Sequence, residues 1–207
     1  MPTGYTARGN FTRRETLSVL PIFVFDQSVL RKKAKPVRHV DGTLATLARD
    51  MLETMQKANG IGLAANQVGS LQRIIVVDIS GMEESSEMPP IAMVNPAVVE
   101  EEGSWSMEEG CLSIPDIREE VERAERIRVR FRDLEFAEKE MEADGLLGRV
   151  ILHEIDHLNG VLFIDRIGSV KRKLLRGRLN KLRRGDFEVA YPVVSNGVPA
   201  RAEVESR

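Results

Sequence analysis

At 207 residues the chain is long enough for one well-packed domain with a short appended segment. Apolar residues make up 42% and charged residues 30%, the balance of an ordinary globular protein, and a net charge of -2 excludes a global pull toward nucleic acid or membrane. The single cysteine, Cys111, excludes an intramolecular disulfide and fits a reducing, cytoplasmic setting, and no stretch nears the roughly 20 apolar residues of a membrane helix.

Residues 1–16 ("MPTGYTARGNFTRRET") are rich in Thr and Arg and poor in acid. They are read as a disordered extension or a misassigned start, with an organellar transit peptide as the weaker alternative. "LSVLPIFVF" is interrupted by Pro21 and followed by basic residues, as in an opening strand. From Asp41 to Ala58, Leu44, Leu47, Ala48, Met51, Leu52 and Met55 keep helical spacing, and Gly60 follows as a stop. "LQRIIVVDIS" reads as a buried strand, "GMEESSEMPP" as a polar loop, and "IAMVNPAVVEEEGSWSMEEGCLSIP" as two strands with breakers. "REEVERAERIRVRFRDLEF" alternates around Ile127, Val129 and Phe131 as one half-buried strand would, and "EKEMEADG" leads into the next helix. That helix, from about Asp144 to Asn159, is apolar on nearly every side and is expected to be buried. The pattern predicts an α+β fold: mainly antiparallel sheets packed around a central metal-binding helix, with an early amphipathic helix and a C-terminal helix. Residues 17–168 are expected to form the catalytic domain and 169–207 a basic helix and tail.

Within the central helix, "HEIDHLNG" (His153–Gly160) sets two of the three histidines four positions apart, with a Glu beside the first. Positions i and i+4 share a helix face, so two imidazoles can hold one metal ion and Glu154 can act as a base. The alternative is a pair of hydrogen-bonded core histidines with Glu154 in a salt bridge. An ionised Glu on a buried helix is costly without a partner, and a nearby dication would account for all three side chains. His39, beside Arg38 in a polar stretch, is read as a surface residue.

A catalytic ion needs a third protein ligand and an open position. In the pattern HExxHxxGxxH the third histidine slot is here Phe163, and the acids that follow are Asp165, too close, and Asp186, Glu188, Glu203 and Glu205 in a polar tail. The third ligand is therefore sought upstream, where Cys111 in "EEGCLSIP" is the candidate. A lone cysteine is more often a small buried hydrophobe. This one follows Gly110, which lets the backbone come close, and lies between an acid and a serine. A thiolate beside a dication is deprotonated, and one Cys with two His leaves a position for water.

Three segments in order, "GIGLAANQ" (60–67), "EGCLS" (109–113) and "HEIDHLNG", resemble the three motifs of the peptide deformylases. The similarity runs from about Val19 to about Ile167. It implies a hydrolase that removes the formyl group from the N-terminal formyl-methionine of new polypeptides and releases formate. It implies Cys111, His153 and His157 as ligands of one divalent ion, Fe(II) first, with Zn, Ni or Co able to take the site; thiolate and imidazole do not choose among them. Such an ion makes hydroxide available near neutral pH, Glu154 takes the water proton and passes it to the leaving amine, and the Gln67 side-chain amide with the Leu112 backbone N–H steadies the oxyanion. Gln67 could otherwise be a surface amide at a turn. Gly60 and Gly62 would let a peptide lie against the backbone as an added strand, with a helix cap and a turn as their plainer roles, and Gly110 is counted with them as substrate-binding. Ile61 and Val150 are either the lining of a methionine pocket or plain core residues. Arg123 falls where the family often has an arginine near the substrate cleft, or is a solvated strand residue. Asp156 and Asn159 are given hydrogen-bonding or solvent-facing roles.

"SVKRKLLRGRLNKLRR" carries eight basic residues from Lys171 to Arg184, no acid, and an apolar stripe of Val170, Leu174, Leu175, Leu179 and Leu182. It reads either as a helix docked with a solvated basic face or as a phosphate-binding element, and the resemblance implies ribosomal RNA as its partner. "FEVAYPVV" beyond it is either an extra strand or disordered. Competing readings are a metalloprotease with a different third ligand and an RNA-associated protein with a structural metal.

Overall fold

The computed structural model describes residues 18–82 and 88–196; the expectations for residues 1–16, for 83–87 of the polar loop and for the end of the tail lie outside the described residues. In chain order the elements are β1 (Ile22–Phe23), α1 (Gly42–Lys57), β2 (Gly62–Ala64), β3 (Ile74–Val77), β4 (Ile91–Glu102), β5 (Trp105–Cys111), β6 (Ile114–Arg123), β7 (Arg126–Arg132), β8 (Glu138–Asp144), α2 (Gly145–Leu158), α3 (Ser169–Arg183) and β9 (Val193–Val194).

Asp41 starts α1 as a cap, its carboxylate accepting the Leu44 N–H at 2.9 Å. The helix stops before the expected glycine. Asn59 takes the left-handed conformation (φ +55°), and the Gly60 N–H returns to the Met55 carbonyl at 2.9 Å. Gly60 lets the chain run close to Leu112: a Cβ there would lie 2.7 Å from Leu112 Cδ1, and that side chain would have to turn aside.

β2, β3, β4, β7 and β8 form, in that order, an antiparallel sheet. Ile75 and Val77 of β3 pack with Val150, Ile151 and Ile155 of α2, whereas Ile74 and Val76 pack with Leu44, Met51 and Met55 of α1. A strand covered on both faces has no polar side, which is why "IIVV" does not alternate. β4 is kinked at Asn95 (φ +53°), whose side chain holds both polar backbone groups of Val37, at 2.8 and 2.7 Å.

The segment expected as one strand around Ile127 is two. β6 ends at Arg123 in a separate hairpin with β5, and after Ala124 and Glu125 the chain enters the main sheet as β7. Ile127, Val129 and Phe131 do turn inward. "EKEMEADG" is itself mostly a strand, β8, paired with β7 along seven residues. Its alternating charges suit a strand at the sheet's edge, where they resemble a loop in sequence.

α2 is buried nearly throughout, as expected, and Gly160 closes it in the left-handed conformation (φ +76°). A Cβ on Gly160 would lie 2.5 Å from the Arg31 carbonyl oxygen, so this glycine ends the helix and admits a neighbouring chain. Phe163 is a core side chain.

In α3, Leu175, Leu179 and Leu182 pack against Val24, Phe25, Ile117 and Phe163. Val170 and Leu174, expected in the same stripe, are 73% and 78% exposed, because at 3.6 residues per turn they fall on another face. The end of "FEVAYPVV" is a strand, β9, parallel to β1. His39 is exposed, and no helix among the described residues is long and apolar enough to cross a membrane.

Candidate active site

Cys111 ends β5 at a two-residue turn, Leu112–Ser113, and faces α2. One turn of α2 separates His153 from His157, and the Cys111 Sγ, His153 and His157 donor atoms all lie within 4.8 Å of one another. Sγ is 3.1 Å from His157 Nε2, which is 3.2 Å from His153 Nε2. These separations are close to the edges of a tetrahedral site with bonds of about 2.0–2.3 Å, so the three side chains fit a transition-metal ion. Burial works against a charge on His153, but Cys111 and Glu109 outweigh it and raise its imidazole to about 10. Burial and the neighbouring His153 hold His157 well below its usual value.

Behind His153 lies a buried ionic network. Glu109 Oε2 is 2.9 Å from His153 Nδ1, leaving Nε2 directed at His157 Nε2. Arg123 binds both Glu109 oxygens, at 2.5 and 2.9 Å, and reaches Asp156 at 2.6 Å. Arg149 adds a bond of 3.0 Å to Glu109 and one of 2.9 Å to the Val121 carbonyl, and stacks over Trp105. Arg166 binds Asp156 from the outer side. Burial opposes ionisation of Glu109, yet the Arg123 and His153 hydrogen bonds hold its carboxyl well below the usual carboxylate range.

Arg123 is therefore not a solvated strand residue; it stands near the cleft without lining it, as a buried ion-pair partner of Glu109 behind a histidine. The alternation of β6 carried the signal, since Ile117, Val121 and Arg123 share the inward phase. Glu109 shares the inward phase of β5 with Met107 and Cys111 in the same way. Arg149 had no such signal. Asp156 does take a hydrogen-bonding role, and Asn159 accepts a bond from Arg73 at 3.0 Å.

Glu154 lies one residue beyond His153 with Oε2 buried and unpartnered. Burial pushes its carboxyl up to about 7. Gly62 makes room for it: a Cβ there would be 2.5 Å from Glu154 Oε1 and 2.6 Å from Val150 Cγ1. Gln67 is buried and not a surface amide. Its oxygen accepts the Ala64 N–H at 2.7 Å, which turns Nε2 toward Ser113 Oγ at 3.2 Å and Cys111 Sγ at 3.6 Å. The turn itself is tied down by the Phe25 N–H on the Ser113 carbonyl at 2.8 Å.

These groups open into a cleft of about 600 Å³, running between residues 58–62 and the β5–β6 hairpin with α2 as its floor. Gly60, Ile61, Gly62, Gly110, Leu112 and Val150 all line it, together with Gln67, Glu154, Cys111 and His153. His157 lies beneath.

The fold and this site define a hydrolase of the HExxH class in which a strand-borne thiol stands with the two helical histidines. The polypeptide deformylase family model matches residues 19–173. A peptide deformylase of Salinibacter ruber is 48% identical over 194 residues, covering 88% of this chain and all of the relative. A crystal structure of a peptide deformylase from Legionella pneumophila superposes with a TM-score of 0.74 at 41% identity, covering 81% of this chain and 96% of that one. A class I type b peptide deformylase from Acinetobacter baumannii, with Met-Ala-Ser bound, gives 0.69 at 38% identity, covering 73% and 99%. The chain belongs to the polypeptide deformylase family, metal-dependent hydrolases that remove the formyl group from the N-terminal formyl-methionine of nascent peptides.

Proposed function

We propose that Cys111, His153 and His157 hold the ion, that the ion is Fe(II), and that Glu154 carries the proton in deformylation. The observation that carries this reading is the unpartnered, buried Glu154 oxygen beside three converging donors. Zn, Ni or Co would suit the same donor set; Fe(II) follows from the family resemblance. When bound, such an ion acts as a Lewis acid and lowers the pKa of a coordinated water toward 7. Glu154 takes the proton of the attacking water and returns it to the leaving amine as the C–N bond breaks and formate departs. Gln67 Nε2 and the Leu112 backbone N–H donate to the oxyanion, with Gln67 held in orientation by Ala64. Gly60, Ile61, Gly62 and Gly110 present backbone to the extended peptide, and Ile61 and Val150 line the methionine pocket. The Met-Ala-Ser in the Acinetobacter relative supports reading the cleft as a peptide groove.

Protein prepared without oxygen and loaded with Fe(II) or Ni(II) is expected to release formate from a formyl-Met peptide. Cys111→Ala should lose bound ion and turnover together. Full ion content in that variant would move the third ligand elsewhere and favour a protease-type site.

We also propose that residues 17–168 are the catalytic unit, and that the basic face of α3 docks on ribosomal RNA, in keeping with a cytoplasmic enzyme. Lys173, Arg176, Lys181 and Arg184 are exposed along it, beside exposed Val170 and Leu174. Because Leu175, Leu179 and Leu182 belong to the core, deleting the helix is a poor test, and charge reversal is a better one. Arg176→Glu with Lys173→Glu should reduce co-sedimentation with ribosomes and its salt dependence. Undiminished co-sedimentation would end the docking idea.

A further inference from the structure

We propose that the segment following α3, residues 187–194, is a wall of the peptide cleft that reads the residues after formyl-methionine and prefers an apolar side chain there. The proposal rests on the deformylase reading of the cleft. Val189 and Tyr191 line the same cavity as Glu154, His153 and Gln67. Both lie beyond residues 19–173, the part that the family model matches.

The segment is built into the fold at both ends of this wall. On one side, β9 pairs with β1, and the Val24 N–H bonds the Val194 carbonyl at 3.0 Å. On the other, the Tyr191 hydroxyl donates to the Leu112 carbonyl at 2.8 Å, so its ring is anchored to the turn that follows Cys111. The ring packs in one cluster with Leu112, Met55 and Ala58, next to the Gly60 edge of the cleft. Phe187 and Val193, both partly buried, pack against the neighbouring cluster of Leu175 and Leu179, which holds the stretch from behind.

The chemistry of the substrate fixes what this wall can meet. The formyl carbon is the terminal atom of the peptide, so the substrate extends from the reacting centre in one direction only. The methionine side chain has its own lining in Ile61 and Val150. Any apolar surface of the cleft beyond that lining faces the residues that follow. A peptide extended along residues 60–62 sends successive side chains to opposite sides, so one of the next two residues turns toward Val189 and Tyr191.

The test compares kcat/KM on formyl-Met amide, formyl-Met-Leu-Leu and formyl-Met-Ser-Ser for the parent, Val189→Ala, Tyr191→Ala and Tyr191→Phe. The parent should prefer the Leu-Leu peptide. Val189→Ala and Tyr191→Ala should shrink that preference about tenfold, chiefly through KM, as expected for lost apolar contacts in a pocket. Tyr191→Phe, which keeps the ring, should retain most of it. Val189 is half-buried, so its variant serves even where Tyr191→Ala does not fold. An unchanged preference, or an equal proportional loss on all three substrates including formyl-Met amide, would overturn the proposal and make the segment structural only. A metal-loaded parent that releases no formate from any substrate would instead strike the deformylase reading and take this proposal with it.

Discussion

Glu154→Gln is expected to lower kcat for formate release by roughly 10²–10⁴-fold while metal content and KM stay near those of the parent. The substitution keeps the shape of the side chain in a pocket where Gly62 leaves little room, a Cβ there meeting Glu154 Oε1 at 2.5 Å. It removes only the capacity to take up and return a proton. Glu154 is outside the group of donors that can hold the ion, so the loss should appear in the chemical step and not in loading. The measurement is steady-state formate release on protein whose metal content has been determined. A kcat within tenfold of the parent would take Glu154 out of the proton path, and a metal-free variant would assign it to the ligand set.

Arg123→Met is expected to destabilise the fold by about 3 kcal/mol, the usual cost of leaving buried acids without their cation. For a chain of this size that is a fall of roughly 6–12 °C in Tm. Arg123 holds Glu109 and Asp156 together, with side-chain exposures of 2%, 5% and 7%, so neither acid can turn to solvent. Arg149 on Glu109 and Arg166 on Asp156 remain, which keeps the estimate at the lower end of the range. A second effect should accompany the first. Glu109 orients His153, so the variant should also bind its ion about 10–100-fold more weakly. Thermal melting with and without metal separates the two effects, and a Tm within about 2 °C of the parent would mean that the network contributes little.

The parts of the molecule visible in the sequence are those set by local chemistry. α1 carried its cap and its stripe, and α2 carried His153, Glu154 and His157 at a spacing that any helix turns into one face. Cys111 could only be a candidate, because its approach to α2 is made by a hairpin and not by sequence proximity. The β5–β6 hairpin was partly hidden for the same reason: the break at Ala124–Glu125 lacks a glycine or proline, and the charged run continues across it. β8 was hidden by its edge position, where alternating Glu and Lys resemble a loop. Arg149 and Tyr191 were not legible at all. Their partners, Glu109 and the Leu112 carbonyl, are 40 and 79 positions away, and nothing in the flanking residues marks the meeting.

Because Ile22 and Phe23 find their partners only at Val193 and Val194, β1 remains unpaired until those two residues have been synthesised. α1, the main sheet and α2 can assemble from residues that emerge earlier, so the order of assembly leaves the C-terminal side of the cleft until last. Closing so long a loop carries an entropy cost that the two residue pairs of β1 and β9, the Tyr191 anchor and the packing of Phe187 and Val193 offset locally. The same joint should therefore be among the first to open when the native molecule breathes. An enzyme that acts on chains at the moment of their making has a wall of its own cleft that waits for Tyr191, Val193 and Val194 to arrive.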